Sequence, residues 1–316
     1  MSERLAIRAR RLTKRYNQVV AVNNLDLDVP IGTVYGFLGP NGAGKTTTIR
    51  MLLGLVRPTS GHAEVLGRDV RTARGAIAPK VGAIVETPAF YTYLTGAQNL
   101  EVLCRSSNMP ADRARIDALL ERAGLAERGG HKVQTYSLGM KQRLGIAATL
   151  LTDPEIIVLD EPTNGLDPAG TVEVRNLITQ LGQDGHTIFL SSHLLNEVEQ
   201  VCTDVAIVQR GELKLQGKVR DLLGRSTGFL IEAAPLDRAL AILRAHPELN
   251  AQPREGGTIE VSVEAAAVPA LVRALVSADV DIFGVRARRN TLEQLFLDLT
   301  GHPAQDSMPA PTGALA

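Results

Sequence analysis

The sequence carries no excess of either charge: Lys and Arg together number 34, and Asp and Glu together number 34. Without a net basic field there is no electrostatic drive toward a phosphate backbone, so no nucleic-acid partner is expected. Cysteine is nearly missing. Cys104 and Cys202, the only two, stand far apart and in no CxxC pattern. That excludes a disulfide framework and a zinc site of that type, and it suits a reducing compartment. No uncharged apolar run reaches the roughly 18 residues that a spanning helix needs. Residues 1–16 interrupt their apolar positions with Arg and Lys, unlike a secretory signal. If the protein acts at a membrane, a partner chain must do the spanning.

What is present is a chain of 316 residues, 44% apolar and 22% charged, a length and composition that suit about two folded domains. Leu5, Ile7 and Ala9, and then Val22, Leu25, Leu27 and Val29, are separated by polar residues as in half-buried antiparallel strands. Residues 33–38 read as a short apolar strand that enters a glycine-rich turn, and residues 45–55 are compatible with a helix. Helices are expected at 98–106 and 112–123, from about Ser137, and at about 169–182. Strands at 155–159 and 187–190 bracket the last of these, the alternation of a parallel sheet with crossover helices. Near residues 224–227 the organisation changes. Strand 228–233, helix 235–245, strand 249–254, a Gly256-Gly257 turn, strand 258–263, helix 266–277 and strand 282–287 follow the order of a split β-α-β unit, with an added helix at 290–299. The expected domains are an α/β domain at 1–225, a small α+β ferredoxin-like domain at 226–300, and a disordered tail rich in Pro, Gly and Ala at 301–316.

Gly39-Pro40-Asn41-Gly42-Ala43-Gly44-Lys45-Thr46 fits GxxxxGK[ST] between an apolar strand and a helix, the context that makes it a phosphate loop. Its glycines let successive backbone N–H groups face one anion, and the helix start adds positive potential. Lys45 can reach the β- and γ-phosphates, and the Thr46 hydroxyl can face Mg²⁺. A second motif, Ile156-Ile157-Val158-Leu159-Asp160-Glu161, ends a buried strand in two acids, at the carboxyl edge where open parallel sheets bind ligands. Asp160 is placed to hold Mg²⁺. Glu161, pointing elsewhere, suits orienting and deprotonating a water.

With these motifs the sequence resembles the ATPase subunits of ATP-binding-cassette (ABC) transporters. Tyr136-Ser137-Leu138-Gly139-Met140-Lys141-Gln142-Arg143 is similar to that family's signature, Asn164-Gly165-Leu166-Asp167 to its D-loop, and Ser191-Ser192-His193 to its switch histidine. Tyr16 matches the aromatic that stacks on adenine. The resemblance covers about residues 4–220. It implies a phosphate-loop ABC ATPase domain with a mixed sheet and a helical subdomain at about 87–150, with ATP and Mg²⁺ as ligands and ATP hydrolysis as the reaction. It places Tyr16, Gly39, Asn41, Gly42, Gly44, Lys45, Thr46 and Thr47 on the nucleotide, and Thr46, Asp160 and Glu86 near the metal. Glu161, His193, Lys45 and Glu86 fall to catalysis. Ser137 and Gly139, at a helix start, would close on the γ-phosphate held by a second copy, with Asp167 ordering that interface. The implied assembly is a homodimer, or a paired ATPase subunit, on the cytoplasmic face of the membrane, driving a separate transmembrane permease.

Two departures stand out. Leu138 and Met140 replace a glycine and the glutamine of the LSGGQ pattern while Ser137 and Gly139 are kept. Glu86 occupies the usual glutamine position of the Q-loop, bringing a full negative charge toward Mg²⁺ and water unless it is only a solvated strand-end acid. This glutamate and this form of signature are similar to the bacitracin and lantibiotic-resistance branch, and the C-terminal domain to that of daunorubicin-exporter ATPases. Export of an antibiotic or other amphipathic compound is therefore expected, with lipid, peptide or polysaccharide export as alternatives. Residues 86–91 are candidates for docking the permease. For the C-terminal domain the choices are a regulator, a small-ligand sensor or, preferred, an element that stabilises the dimer. A non-transport ABC ATPase lacks support, because the chain has no long coiled-coil insertion or second cassette, and intact Lys45, Asp160, Glu161 and His193 argue against a scaffold.

Overall fold

The computed structural model describes residues 4–224, 228–288 and 291–300. The tail expected at 301–316 lies outside them. Contacts divide the chain into two units, the first ending at Val219 and the second beginning at Arg220.

The first unit opens with an antiparallel hairpin, β1 (Leu5–Tyr16) and β2 (Val19–Pro30), whose turn is made by Asn17 at φ +50°. Ile7, Ala9 and Leu12 face Leu25, Leu27 and Val29 on the buried side, as the alternation in the sequence requires. β4 (Ser60–Val65) and β5 (Arg68–Asp69) complete a four-stranded sheet in the order β2-β1-β4-β5.

The second sheet of this unit runs β10-β9-β3-β8-β7-β6. Its strands are β3 (Val34–Leu38), β6 (Val81–Ile84), β7 (Ile156–Asp160), β8 (Thr187–Ser192), β9 (Asp204–Gln209) and the antiparallel edge β10 (Glu212–Lys218). β3, β7 and β8 are buried at every residue, as parallel strands covered on both faces must be. The helices of this unit are α1 (Lys45–Leu52), α2 (Arg74–Ile77), α3 (Gly96–Ser106), α4 (Arg113–Arg122), α5 (Leu138–Thr149), α6 (Pro168–Gln183) and α7 (Leu195–Val201), and α8 (Val219–Leu223) begins at its last residue and runs into the second. α1 packs against β2, β4 and β7, so it lies in the core shared by the two sheets. It stops at Leu52 rather than at 55 because the chain leaves the helix through Gly54 at φ +66°. Phe189 stacks on Tyr35 at 5.9 Å and meets Phe37 at a tilt, 5.4 Å between ring centres, all three being buried.

Register decides where chemistry can occur. Leu38 pairs with Ser192, Asp160 with Ser191 and Ile84 with Leu159, so the carboxyl ends of β3, β6, β7 and β8 finish level. The segments leaving that edge carry Gly39, Glu86, Glu161 and His193.

The second unit has its own core, with Ile231, Ala233, Leu240, Leu243, Ile259, Val261 and Leu275 buried. Its elements are β11 (Gly228–Ala234), α9 (Leu236–Arg244), β12 (Gln252–Arg254), β13 (Thr258–Ser262), α10 (Val268–Ser277), β14 (Asp281–Arg288) and α11 (Leu292–Thr300). The sheet order β12-β13-β11-β14, antiparallel at every step, is that of the split β-α-β unit. β12 is shorter than the expected 249–254, because Pro247–Leu249 forms a 3-10 turn and Asn250 takes φ +44°.

Candidate active site

The loop between β3 and α1 is shaped by close approach. A methyl group at Gly39 would fall 2.3 Å from the Val208 carbonyl oxygen, and one at Gly44, where φ is +98°, would fall 2.3 Å from that of Ala21. Only glycine fits either place. The first backbone bond into α1 runs from Thr48 N–H to Gly44 O at 2.9 Å. The amides of Lys45, Thr46 and Thr47 precede it and face the loop, as the first N–H groups of a helix do. Lys45 is 6% exposed and donates from Nζ to Gly39 O at 2.7 Å.

A charged cluster meets this lysine. Lys45 Nζ lies 3.0 Å from Glu161 Oε1, and His193 Nδ1 lies 2.7 Å from Glu161 Oε2. A carboxylate only accepts, so Nδ1 is the nitrogen that carries hydrogen in this contact. Glu161 follows the last residue of β7 and has φ +50°, which takes its side chain out of strand alternation and into the cluster. Asp160, 3% exposed, accepts at Oδ1 from Ser191 Oγ at 2.6 Å, and the same Oγ accepts from Glu161 N–H at 2.9 Å. Ser191 thus orients both acids. The sequence shows this serine two positions before the switch histidine without a task of its own, because its place opposite Asp160 comes only from the pairing of β8 with β7.

The donors present fit a nucleotide with a hard cation. Lys45 and the loop amides suit phosphate, while the Thr46 hydroxyl and the Asp160 carboxylate are oxygen donors of the kind magnesium takes beside substrate phosphates. Among the described residues no group of three or more His, Cys, Asp or Glu is placed to hold a metal.

Ser137, Gly139 and Asp167 form a separate cluster. Ser137 caps α5, accepting from Met140 N–H at 3.2 Å, and Asp167 caps α6, accepting from Gly170 N–H at 3.0 Å. The two helix starts touch: a methyl at Gly139 would lie 3.2 Å from Gly170 Cα. Among the described residues, no hydrogen bond or ion pair joins this cluster to Lys45, Glu161 or His193. Tyr16, 44% exposed at the end of β1, has the Lys14 ammonium 4.9 Å above its ring. Asn41 and Gly42 are exposed and Thr46 and Thr47 half-buried. Glu86, left-handed at φ +65° and 65% exposed, gives its carboxylate to Arg50 on α1. Arg50 is a second residue that the sequence did not single out, because nothing local marks a helix arginine as the partner of an acid 36 positions later.

The family described as ABC transporter matches residues 22–164. The bacitracin transport ATP-binding protein BcrA of Bacillus licheniformis is 39% identical over 293 residues, covering 92% of this chain and 95% of that protein. The daunorubicin resistance ATP-binding protein DrrA3 of Streptomyces coeruleorubidus is 40% identical over 295 residues, covering 91% and 93%. Among solved structures, a dimeric post-hydrolysis state of the ATP-binding cassette MJ0796 bound to ADP and Pi is 25% identical with a TM-score of 0.61, over 68% of this chain and 99% of that one. With the phosphate loop, the paired acids and the signature turn in family order, the chain belongs to the ABC transporter family as an ATP-binding subunit that hydrolyses ATP.

Proposed function

We propose that two copies of this chain close head to tail on two ATP molecules, each held by the phosphate loop of one copy and the signature turn of the other. The observation that carries this reading is that, among the described residues, no hydrogen bond or ion pair joins the Ser137 cluster to the Lys45 cluster of the same chain. The dimeric state of MJ0796 supports it. The test is dilution. Specific ATP hydrolysis is expected to fall as protein concentration drops through the dimer dissociation range, and a rate per molecule that stays constant down to a demonstrated monomer overturns the split site.

In this mechanism Lys45 exchanges the Glu161 carboxylate for the β- and γ-phosphates and neutralises their charge. Thr46 and Asp160 would hold Mg²⁺, which would supply further neutralisation of phosphate charge. Glu161, released from Lys45, accepts the proton of the attacking water. His193 Nδ1–H, held by Glu161 in this structure, exchanges that carboxylate for a γ-phosphate oxygen. Ser137 Oγ and the Gly139 amide meet the same phosphate from the opposite copy, Asp167 orders the interface, and the Tyr16 ring stacks on the base.

The names of the relatives, bacitracin transport and daunorubicin resistance, support efflux of an antibiotic or another amphipathic compound. Among the described residues no helix is long and apolar enough to cross a membrane. A separate permease therefore provides the path, and this subunit sits peripherally on the cytoplasmic face. The second unit, with its own core, is assigned to holding the two copies together.

In this reading residues 86–91 receive the permease; Tyr91, the last of them, is exposed and meets the exposed ring of Tyr93 edge to face at 5.8 Å. The Glu86–Arg50 pair ties this segment to the helix that begins at the phosphate loop. Exposed pairs contribute about 0.2–1 kcal/mol. Glu86→Gln or Arg50→Gln is accordingly expected to lower permease-stimulated turnover by up to about fivefold with ATP affinity unchanged. Equal stimulated turnover in variant and parent would remove Glu86 from coupling.

A further inference from the structure

Tyr136 immediately precedes the signature serine and takes no part in the chemistry above. It is 5% exposed, and its hydroxyl donates to Arg128 O at 2.7 Å. Burial holds the phenol's ionisation above its usual range, against the pull of Arg128, so it remains a donor. The hydroxyl occupies the space left by Gly96, the first residue of α3, where a methyl group would lie 2.4 Å from the phenol oxygen and 3.3 Å from Cζ. Gly96 is not among the glycines with positive φ. It is glycine because Tyr136 needs the room.

That close fit lets two loops share a backbone ladder. Gly96 N–H bonds His131 O at 3.2 Å, and Ala97 N–H bonds Gly129 O at 2.9 Å. Val133 N–H bonds Leu94 O, and Gln134 N–H bonds Thr92 O, both at 2.9 Å. Asn99, 2% exposed, fastens the outer end, accepting from Tyr91 N–H at 2.8 Å and donating to Tyr91 O at 3.1 Å. The loop carrying Tyr91 and Tyr93 and the segment leading to Ser137 are therefore one hydrogen-bonded body, closed at its inner end by Tyr136.

We propose that Tyr136 is a positioning residue that, packed on Gly96 and bonded to Arg128 O, sets the Ser137 hydroxyl at the height needed to meet the second copy's γ-phosphate. The proposal rests on the reading of Ser137 as that contact. Misplacing a reacting group by about 1 Å lowers turnover, and among the described residues no hydrogen bond joins the phosphate loop to Tyr136.

In full-length chain at concentrations that saturate the dimer, Tyr136→Phe removes only the hydroxyl and keeps the ring. The expected result is a kcat lower by about three- to tenfold, the range for losing one buried hydrogen bond, with the KM for ATP unchanged. Gly96→Ala forces the hydroxyl out and is expected to show the same split. The double variant Gly96→Ala/Tyr136→Phe relieves that overlap, so its loss is no larger than that of Gly96→Ala alone instead of the product of the two. Tyr136→Phe alone decides the matter where Gly96→Ala does not fold. A loss of thermal stability with kcat intact in Tyr136→Phe, or a matching rise in KM, overturns the positioning role. Ser137→Ala separates the two levels. If it leaves kcat unchanged, the signature reading fails and takes this inference with it; if it slows turnover and Tyr136→Phe does not, only the inference about Tyr136 falls.

Discussion

Lys45→Ala is expected to raise the dissociation constant for ATP by roughly 30- to 4,000-fold, the consequence of the about 2–5 kcal/mol lost when one member of a buried, hydrogen-bonded charge pair is truncated. The lysine is 6% exposed and reaches Gly39 O and Glu161 Oε1 from the same ammonium, so it is held at the mouth of the loop by the groups the phosphates would replace. Alanine removes the buried ammonium of this cluster and leaves the Glu161 carboxylate without it. The negative charge left behind then repels the incoming triphosphate. Equilibrium titration with a fluorescent nucleotide measures the change, and a melting curve identifies any general loss of fold. An unchanged affinity in a folded variant would mean that the loop has been misassigned.

The loop was legible because its requirements are local. Gly39 and Gly44 are the glycines of a compact motif, and the flanking β3 and α1 announce themselves by an apolar run and a helix-compatible pattern. Asp160 and Glu161 were legible for the same reason, since an apolar run closing in acids must leave them at a strand end. The split β-α-β order of the second unit followed from the alternation of short strands and helices across 228–288. What escaped is set by register between distant segments. Ser191 gains its task only when β8 pairs with β7 opposite Asp160, and Arg50 only when the segment after β6 brings Glu86 beside α1. Ends of elements escaped too. Gly54, which follows the end of α1, and Asn250, which delays β12, act through left-handed backbone that hydrophobic pattern does not record.

Glu161→Gln should act on the opposite side of the same pair. The amide keeps the size of the side chain and one oxygen acceptor, but it has neither the charge nor the basicity to take a proton from water. The loss of a general base lowers turnover by about 10²–10⁴-fold. Binding is expected to survive or to tighten, because Lys45 Nζ, 3.0 Å from Oε1, is no longer drawn away by a carboxylate. Two copies closed on unhydrolysed ATP then have no chemical step by which to reopen, so gel filtration with ATP and Mg²⁺ should show a dimer that is absent without nucleotide. A monomer under both conditions, or hydrolysis within a few-fold of the parent rate, would remove Glu161 from the role of base. Together the two substitutions separate chemistry from damage. General destabilisation would weaken nucleotide binding in both, whereas a lysine that binds phosphate and a glutamate that handles the water require affinity to collapse in Lys45→Ala and to persist in Glu161→Gln.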